Sequence, residues 1–403
     1  MKFKFLFLLL VALSSISFFK PVVIDPLSSN FGLIFGMLTI ASFFPVLFSF
    51  LGNVRFGKFT VPILLLLIAL AVSSLNAKIY WDQGLKFTLF GVLFKGFGYF
   101  FYFYLFYANI QTQTIEKVID ILGLAFIAIF LTSFVIYPRL IVSYNEVIGQ
   151  SVFQRIFVMG DGFLFLFYFF SINRYNITKK PIYLGYIIAA VLCILLNQTR
   201  VYILATLLIT SIYILKSSKF VYKVMLVASF VIGLIFISDS AFYVTMQKRT
   251  ENDVSKGDDY IRVSAAEYFL TSFQRSTATQ IMGNGMPYGD QNTYVIKMKQ
   301  INKYYKYFVE DIGFAGLYTY YGLLAILSYI IIFFKSFRAK ILSNYTYAKM
   351  MMFFILLTSA TTSATFNASF IIPIVFTIYL IEKGFDPLKR YNIGIQEVQI
   401  KQQ

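Results

Sequence analysis

The chain has 403 residues, 59% of them hydrophobic and only 13% charged, which excludes an ordinary soluble domain, where about a quarter of residues carry charge. Its net charge of +17 comes mainly from basic residues in short links between apolar runs. That pattern marks membrane topology and argues against a nucleic-acid partner. With no histidine and a lone cysteine, Cys193, within an apolar run, imidazole bases, histidine or cysteine metal sites and an intramolecular disulfide are excluded. Acid–base chemistry falls to carboxylates, lysine or tyrosine, and no metal or cofactor is expected.

The opening MKFKFLFLLLVALSSISFFK has the charged start and apolar body of a signal peptide, with Ser15-Ile16-Ser17 as a small-x-small cleavage site; we read it as a retained first span. Apolar runs of helical length then predict about twelve spans, at 3–19, 31–51, 59–75, 87–107, 118–137, 152–172, 182–196, 201–215, 220–237, 311–334, 346–362 and 368–381. The alternating pattern of a transmembrane barrel is absent. The predicted fold is therefore an all-α polytopic membrane protein, with residues 1–403 forming a single integral membrane domain.

An N-terminus on the cytoplasmic side puts 19 of the 35 Lys and Arg on that side, among them Arg55, Lys58, Arg174, Lys179, Lys180, Lys335 and Arg338. The short outer links then hold only Lys20, Lys78, Lys86, Arg139 and Arg200, which fits the positive-inside rule. Both termini become cytoplasmic, with 382–403 as a tail. The one large outer loop, 238–310, carries nine basic and eight acidic residues. Within it, DDYIRVSAAEYFLTSFQRSTATQIMGNG reads as one helix, N-capped by Asp258 or Asp259 and ended by Gly283 and Gly285. The next segment puts Val295, Met298, Ile301, Tyr305 and Phe308 on one side, the pattern of a helix lying on a membrane surface. GNGMPYG, residues 283–289, lacks the spacing of a dinucleotide fingerprint and reads as a turn.

Ionisable residues within spans are costly and are functional candidates. Lys95 and Asp161 fall at similar predicted depths of about 12–14 Å below the outer surface, so an intramembrane Lys95–Asp161 pair is expected, with either a structural or a functional role. Arg155 near the outer end of the sixth span, Arg200 at the tip NQTR, and Arg262 and Arg275 on the loop helix are candidates to face one outer cavity. Their planar guanidinium forks suit phosphate. In VEDIGFAGLYTYYG, residues 309–322, Glu310 and Asp311 stand before a long apolar run. Two readings stand: a helix start favoured by the macrodipole, or a carboxylate base at the outer surface. Gly313 and Gly316 mark a face open to close approach by a neighbouring helix.

Three stretches carry a family likeness: LLNQTRVYILATLL at 195–208, QIMGNGMPYG at 280–289 and EDIGFAGLYTYYG at 310–322. Together with the layout of spans over nearly the whole chain, they resemble the Wzy-type polymerases of O-antigen and capsule repeat units, in the wider family that includes the O-antigen ligases. The resemblance implies metal-independent glycosyl transfer at the periplasmic face of the bacterial inner membrane. An undecaprenyl-diphosphate-linked oligosaccharide would be the donor, a second lipid-linked repeat unit the acceptor, and a chain-length regulator a possible partner beside membrane lipid. Arg200, Arg262 and Arg275 match the family's arginine-bearing regions, whereas Arg155 fits by topology alone. Many ligases of the family carry a histidine in the large loop, and this chain has none, which disfavours the ligase reading and leaves Glu310 or Asp311 as the expected base, or no protein base at all. A lipid-linked oligosaccharide flippase or other transporter is the alternative of a different class, but no symmetric pair of interrupted spans recurs in the two halves.

Overall fold

The computed structural model describes residues 2–20, 22, 28–50, 57–89, 96–136, 141–142, 157–217, 260–289 and 292–384. Among the described residues the regular structure is entirely helical. In chain order the elements are α1 (Lys2–Ser15), α2 (Ser28–Phe50), α3 (Thr60–Trp81), α4 (Phe101–Tyr107), α5 (Thr112–Val135), α6 (Asp161–Thr178), α7 (Pro181–Leu196) and α8 (Arg200–Ser217). Then come α9 (Ile261–Leu270), α10 (Thr277–Met282), α11 (Thr293–Tyr305), α12 (Gly313–Arg338), α13 (Thr346–Thr358) and α14 (Ala368–Gly384).

Three of these, α3, α5 and α12, are long and apolar enough to cross a membrane, with 22, 24 and 26 residues. At 1.5 Å per residue α3 and α5 run about 33–36 Å, against a hydrocarbon core of about 30 Å. Their outward faces stay apolar. Val61, Ile68, Leu75 and Ile79 form an exposed stripe on α3, and Leu323, Leu327, Ile330 and Phe334 form another on α12. In water such stripes would be a liability; against acyl chains they are matched.

The centre of the bundle is built from α6 and α14, which are buried all round from Gly162 to Asn173 and from Ser369 to Ile381. A helix apolar on every face is one that neighbours enclose. Pro373 lies inside α14 and has no N–H, so the Ser369 carbonyl four residues earlier loses its helical donor. Gly162 of α6 seats against that carbonyl, where an added Cβ would lie 2.3 Å from the oxygen. The Gly160 N–H donates to Ser369 Oγ at 3.1 Å, completing the crossing.

Several boundaries differ from the apolar runs. The described part of 87–107 contains a 3₁₀ turn, Phe97–Phe100, followed by the short α4. Helix α6 opens at Asp161, with Gly160 left-handed at φ 107°, so residues 157–160 are not part of a helix reaching back to 152. The single loop helix expected over 258–285 is two helices. Ser276 starts α10 with a capping box, its Oγ accepting from the Thr279 N–H while Thr279 Oγ1 accepts from the Ser276 N–H. Asp258, Asp259 and the ninth predicted span at 220–237 lie outside the described residues.

Candidate functional site

The most constrained backbone lies where the glycine turn meets α12. Gly322 breaks this helix, with φ 74° and ψ −175°, a region that only glycine adopts freely. The break leaves carbonyls of the preceding turn without helical donors. The glycine turn supplies replacements: Asn284 N–H donates to Thr319 O at 3.0 Å and Gly285 N–H to Tyr320 O at 2.8 Å. Gly283 and Gly322 are needed on both sides of the contact. A Cβ on Gly283 would meet Tyr320 O at 2.3 Å, and one on Gly322 would meet Ile281 O at 2.3 Å.

Polar side chains from α3 and its exit hold the other side of the turn. Asn76 Nδ2 donates to Gly283 O at 2.8 Å, Gln83 Nε2 to Met286 O at 3.0 Å, and the Tyr288 N–H donates back to Gln83 Oε1 at 2.9 Å. Asn284, fully buried, accepts from Trp81 Nε1 at 3.0 Å and donates to Gln274 Oε1 and Thr319 O at 3.0 and 3.1 Å. GNGMPYG is thus a turn, as its sequence reads, and its Asn284 is wedged between α3 and the break in α12.

Trp81 links this anchor to a charge. Phe273 and Tyr294 stack on its ring at 4.9 and 4.6 Å, and the Arg275 guanidinium lies 4.3 Å from the ring centroid. Such a contact is worth about 0.5–1 kcal/mol where exposed. The backbone of Arg275 is fixed too, its N–H donating to Thr279 Oγ1 at 3.1 Å. Arg275 is exposed while its seat is buried, an arrangement that orders a cation and leaves it accessible to an anion. Burial raises the Tyr268 phenol above its ordinary value, Tyr305 adds to the rise and Arg275 opposes it. Arg275 therefore acts electrostatically on Tyr268 of α9.

Glu310 and Asp311 occupy a 3₁₀ turn, Val309–Asp311, packed against α9 and α12, and both are exposed. Neither caps α12, whose N-cap position is Ile312 without a side-chain hydrogen bond. The start of α12 is set instead by close backbone approach: Gly313, at φ 53°, faces Ser359 O, which an added Cβ would meet at 2.2 Å. The Gly313 and Gly316 face is therefore approached by the turn after α13 and by Val309 rather than by a neighbouring helix.

Arg200 is the first residue of α8 and is partly buried. Tyr202, two residues on, contacts Phe354 near the end of α13 and Phe370 near the start of α14, with ring centroids 5.7 and 6.0 Å apart. The turn joining those helices also touches Gly313. Arg200 is thereby at the same end of the bundle as Glu310 and Asp311. Arg262 lies on α9 with its guanidinium 5.9 Å from the Tyr260 ring, on the helix that packs against the acidic turn. Arg155 and Lys95 lie outside the described residues. Asp161 opens α6, its Oδ1 accepting from the Gly162 N–H at 3.1 Å.

Two features of this end are absent from the sequence reading. The segment after α13 turns inward, and its Thr365 carbonyl accepts from Tyr99 and Tyr329 hydroxyls at 2.6 and 2.5 Å. Serine and threonine spacing alone gives no signal of that burial. The Trp81–Asn284 bond joins positions 203 apart, beyond any local pattern. At the other end, Arg174 pairs with Glu116 at 2.5 Å, and the Tyr347 hydroxyl donates to the same carboxylate at 3.1 Å.

Helix α11 also differs from its expected role. Tyr294, Val295, Met298 and Ile301 are buried against the protein, which covers the first three positions of the face predicted to lie on a membrane, Val295, Met298 and Ile301. Left-handed Lys306 ends the helix, and Tyr305 and Phe308 stay exposed. Among the described residues, no group of three or more His, Cys, Asp or Glu side chains is placed to hold a metal ion. Chemically, the arrangement offers one seated and exposed cation, Arg275, just after the helix that packs against the turn of Glu310 and Asp311. No protein-family model and no curated protein sequence matches the chain.

Proposed function

We propose that the protein is a multi-pass membrane glycosyltransferase that joins lipid-diphosphate-linked oligosaccharide repeat units into O-antigen, capsule or a related surface glycan. In this reading it lies in a bacterial inner membrane with about twelve spans, both termini cytoplasmic and the 238–310 loop in the periplasm. The observation that carries the reading is Arg275, an exposed guanidinium seated 4.3 Å from the buried Trp81 ring, on the lobe that packs against Glu310 and Asp311.

The chemistry follows from those groups. The acceptor hydroxyl attacks the anomeric carbon of the donor, the bond to the lipid diphosphate breaks, and the new glycosidic bond forms. Arg275, with Arg200 and Arg262 at the same end, stabilises the negative charge that develops on the departing diphosphate. Asp311 or Glu310 takes the proton from the acceptor hydroxyl. Arg155 would join the arginine set, and a Lys95–Asp161 pair would fix the sixth span beneath it.

Gene deletion followed by gel separation of surface glycan tests the reaction class. The proposal expects single repeat units to persist on the lipid anchor while long chains disappear. Loss of single units as well would point to failed export and overturn it.

A further inference from the structure

The lobe above the membrane carries an exposed tyrosine surface that the transfer reaction leaves unused. Tyr305 closes α11, left-handed Lys306 reverses the chain at φ 57°, and Tyr307 folds back beside Tyr305. The Tyr305 and Tyr307 rings stack at 5.6 Å and 29°. Tyr268 of α9 stacks on Tyr305 at 6.4 Å and 24° and lies 5.9 Å from Tyr307. Tyr305 is 59% exposed and the adjacent Tyr304 71% exposed, while Tyr268 and Tyr307 are partly buried and back them against the core. The stack leads back to Arg275 through rings: Tyr268 lies 6.2 Å from Phe273, which stacks on Trp81, the seat of Arg275.

We propose that Tyr268, Tyr305 and Tyr307 form a stacking platform for pyranose rings of the glycan attached to the diphosphate held at Arg275. The inference rests on the reading of Arg275 given above and adds the sugar subsite beside it. The physical match is between the electron-rich ring face and the C–H face of a sugar, whose hydrogens carry partial positive charge. Phenol hydroxyls add donors and acceptors at the ring edges for sugar hydroxyls. Lys303 and Lys306 on the same stretch are exposed, so the surface is cationic and aromatic together. A purely apolar partner would leave those ammonium groups poorly solvated, whereas a glycan keeps them wet. Val295, Met298 and Ile301, the aliphatic part of the α11 face suited to a bilayer, are already buried against the protein, which favours a soluble glycan over lipid as the occupant.

The test uses the full chain in lipid nanodiscs and two probes. One is glycan released by mild acid from the surface polysaccharide of the producing cells; the other is farnesyl diphosphate, and binding is read by calorimetry. Tyr305→Ala is expected to weaken glycan binding roughly three- to tenfold, the loss of one aromatic stacking face. Tyr305→Phe should restore most of it, and farnesyl diphosphate should bind Tyr305→Ala as it binds the parent chain. Absence of glycan binding by the parent, or glycan affinity in Tyr305→Ala within twofold of it, overturns the platform. Failure of the parent to bind farnesyl diphosphate, with tyrosine-dependent glycan binding retained, instead overturns the role of Arg275. Tyr305→Trp adds an exposed emitter to the buried Trp81 and separates the remaining occupant: stronger quenching by brominated acyl chains in Tyr305→Trp than in the parent would assign the surface to the membrane and overturn the proposal.

Discussion

Gly322→Ala separates the broken α12 from an ordinary transmembrane helix by the sign of its effect. In an unbroken helix interior, replacing glycine by alanine stabilises by about 1 kcal/mol. Here the residue sits at φ 74° and ψ −175°, where a side chain costs on the order of 1–3 kcal/mol. The new methyl would also stand 2.3 Å from Ile281 O and 2.4 Å from Gly283 N. The first closes α10 and the second opens the turn clamped by Asn76, Gln83 and Trp81, so Gly283 does not yield without loss of those bonds. Strain and clash act in the same direction, giving a net destabilisation of at least about 2 kcal/mol. Trp81, the single tryptophan, stands at the clamp, so its emission during thermal unfolding of the detergent-solubilised protein reports the change directly. The expected outcome is a lower apparent Tm and a shifted Trp81 emission before heating. A Tm equal to or above that of the parent would refute the break and the seat of the glycine turn upon it.

Asn284→Ala removes the acceptor of the Trp81 N–H and leaves that buried donor unpaired, which costs about 1–3 kcal/mol; a lower Tm with red-shifted Trp81 emission checks it. Trp81→Leu removes both the ring under Arg275 and the N–H donor to buried Asn284; long-chain glycan should fall at least several-fold on gels at equal protein level, of which a cation–π contribution of about 1 kcal/mol is one part. Glu116→Ala strips the acceptor from the partly exposed Arg174 and leaves the buried Tyr347 hydroxyl unpaired, and should destabilise by about 1–3 kcal/mol, visible as reduced folded protein on detergent size exclusion. Activity retained in both Asp311→Asn and Glu310→Gln, and in their combination, would remove these side chains as essential bases.

Apolar block length made α3, α5 and α12 legible, because the bilayer demands about twenty apolar residues whatever the tertiary fold. What escaped was set by contacts distant in sequence. Gly322 in GLYTYYG looks like one more small residue on a packing face; its break is imposed by Ile281 and Gly283 arriving from the loop. Asn284 reads as a turn residue, and its burial under Trp81 is a tertiary fact. Other misses were local and readable: Ser276 and Thr279 carry a capping box that splits the loop helix, and Gly160 before Asp161 marks a helix start. Tyr305 and Phe308 continue the apolar period of α11, but Tyr305 is the last residue of the helix and left-handed Lys306 ends it before Phe308. Of the candidate site, Arg262 lies on α9, which packs against the turn of Glu310 and Asp311, and Arg275 follows that helix. The support of Arg275 by Trp81, which distinguishes it from the other arginines, depends on pairing residues from opposite halves of the chain.

The most direct measurement of the central claim uses membranes containing the protein, supplied with purified lipid-diphosphate-linked repeat units and followed by gel separation of the products. The account predicts a ladder of lengthening chains from the parent protein and only the starting unit from Arg275→Ala present at the same level. A full ladder from Arg275→Ala, or none from the parent with intact substrate, would contradict it.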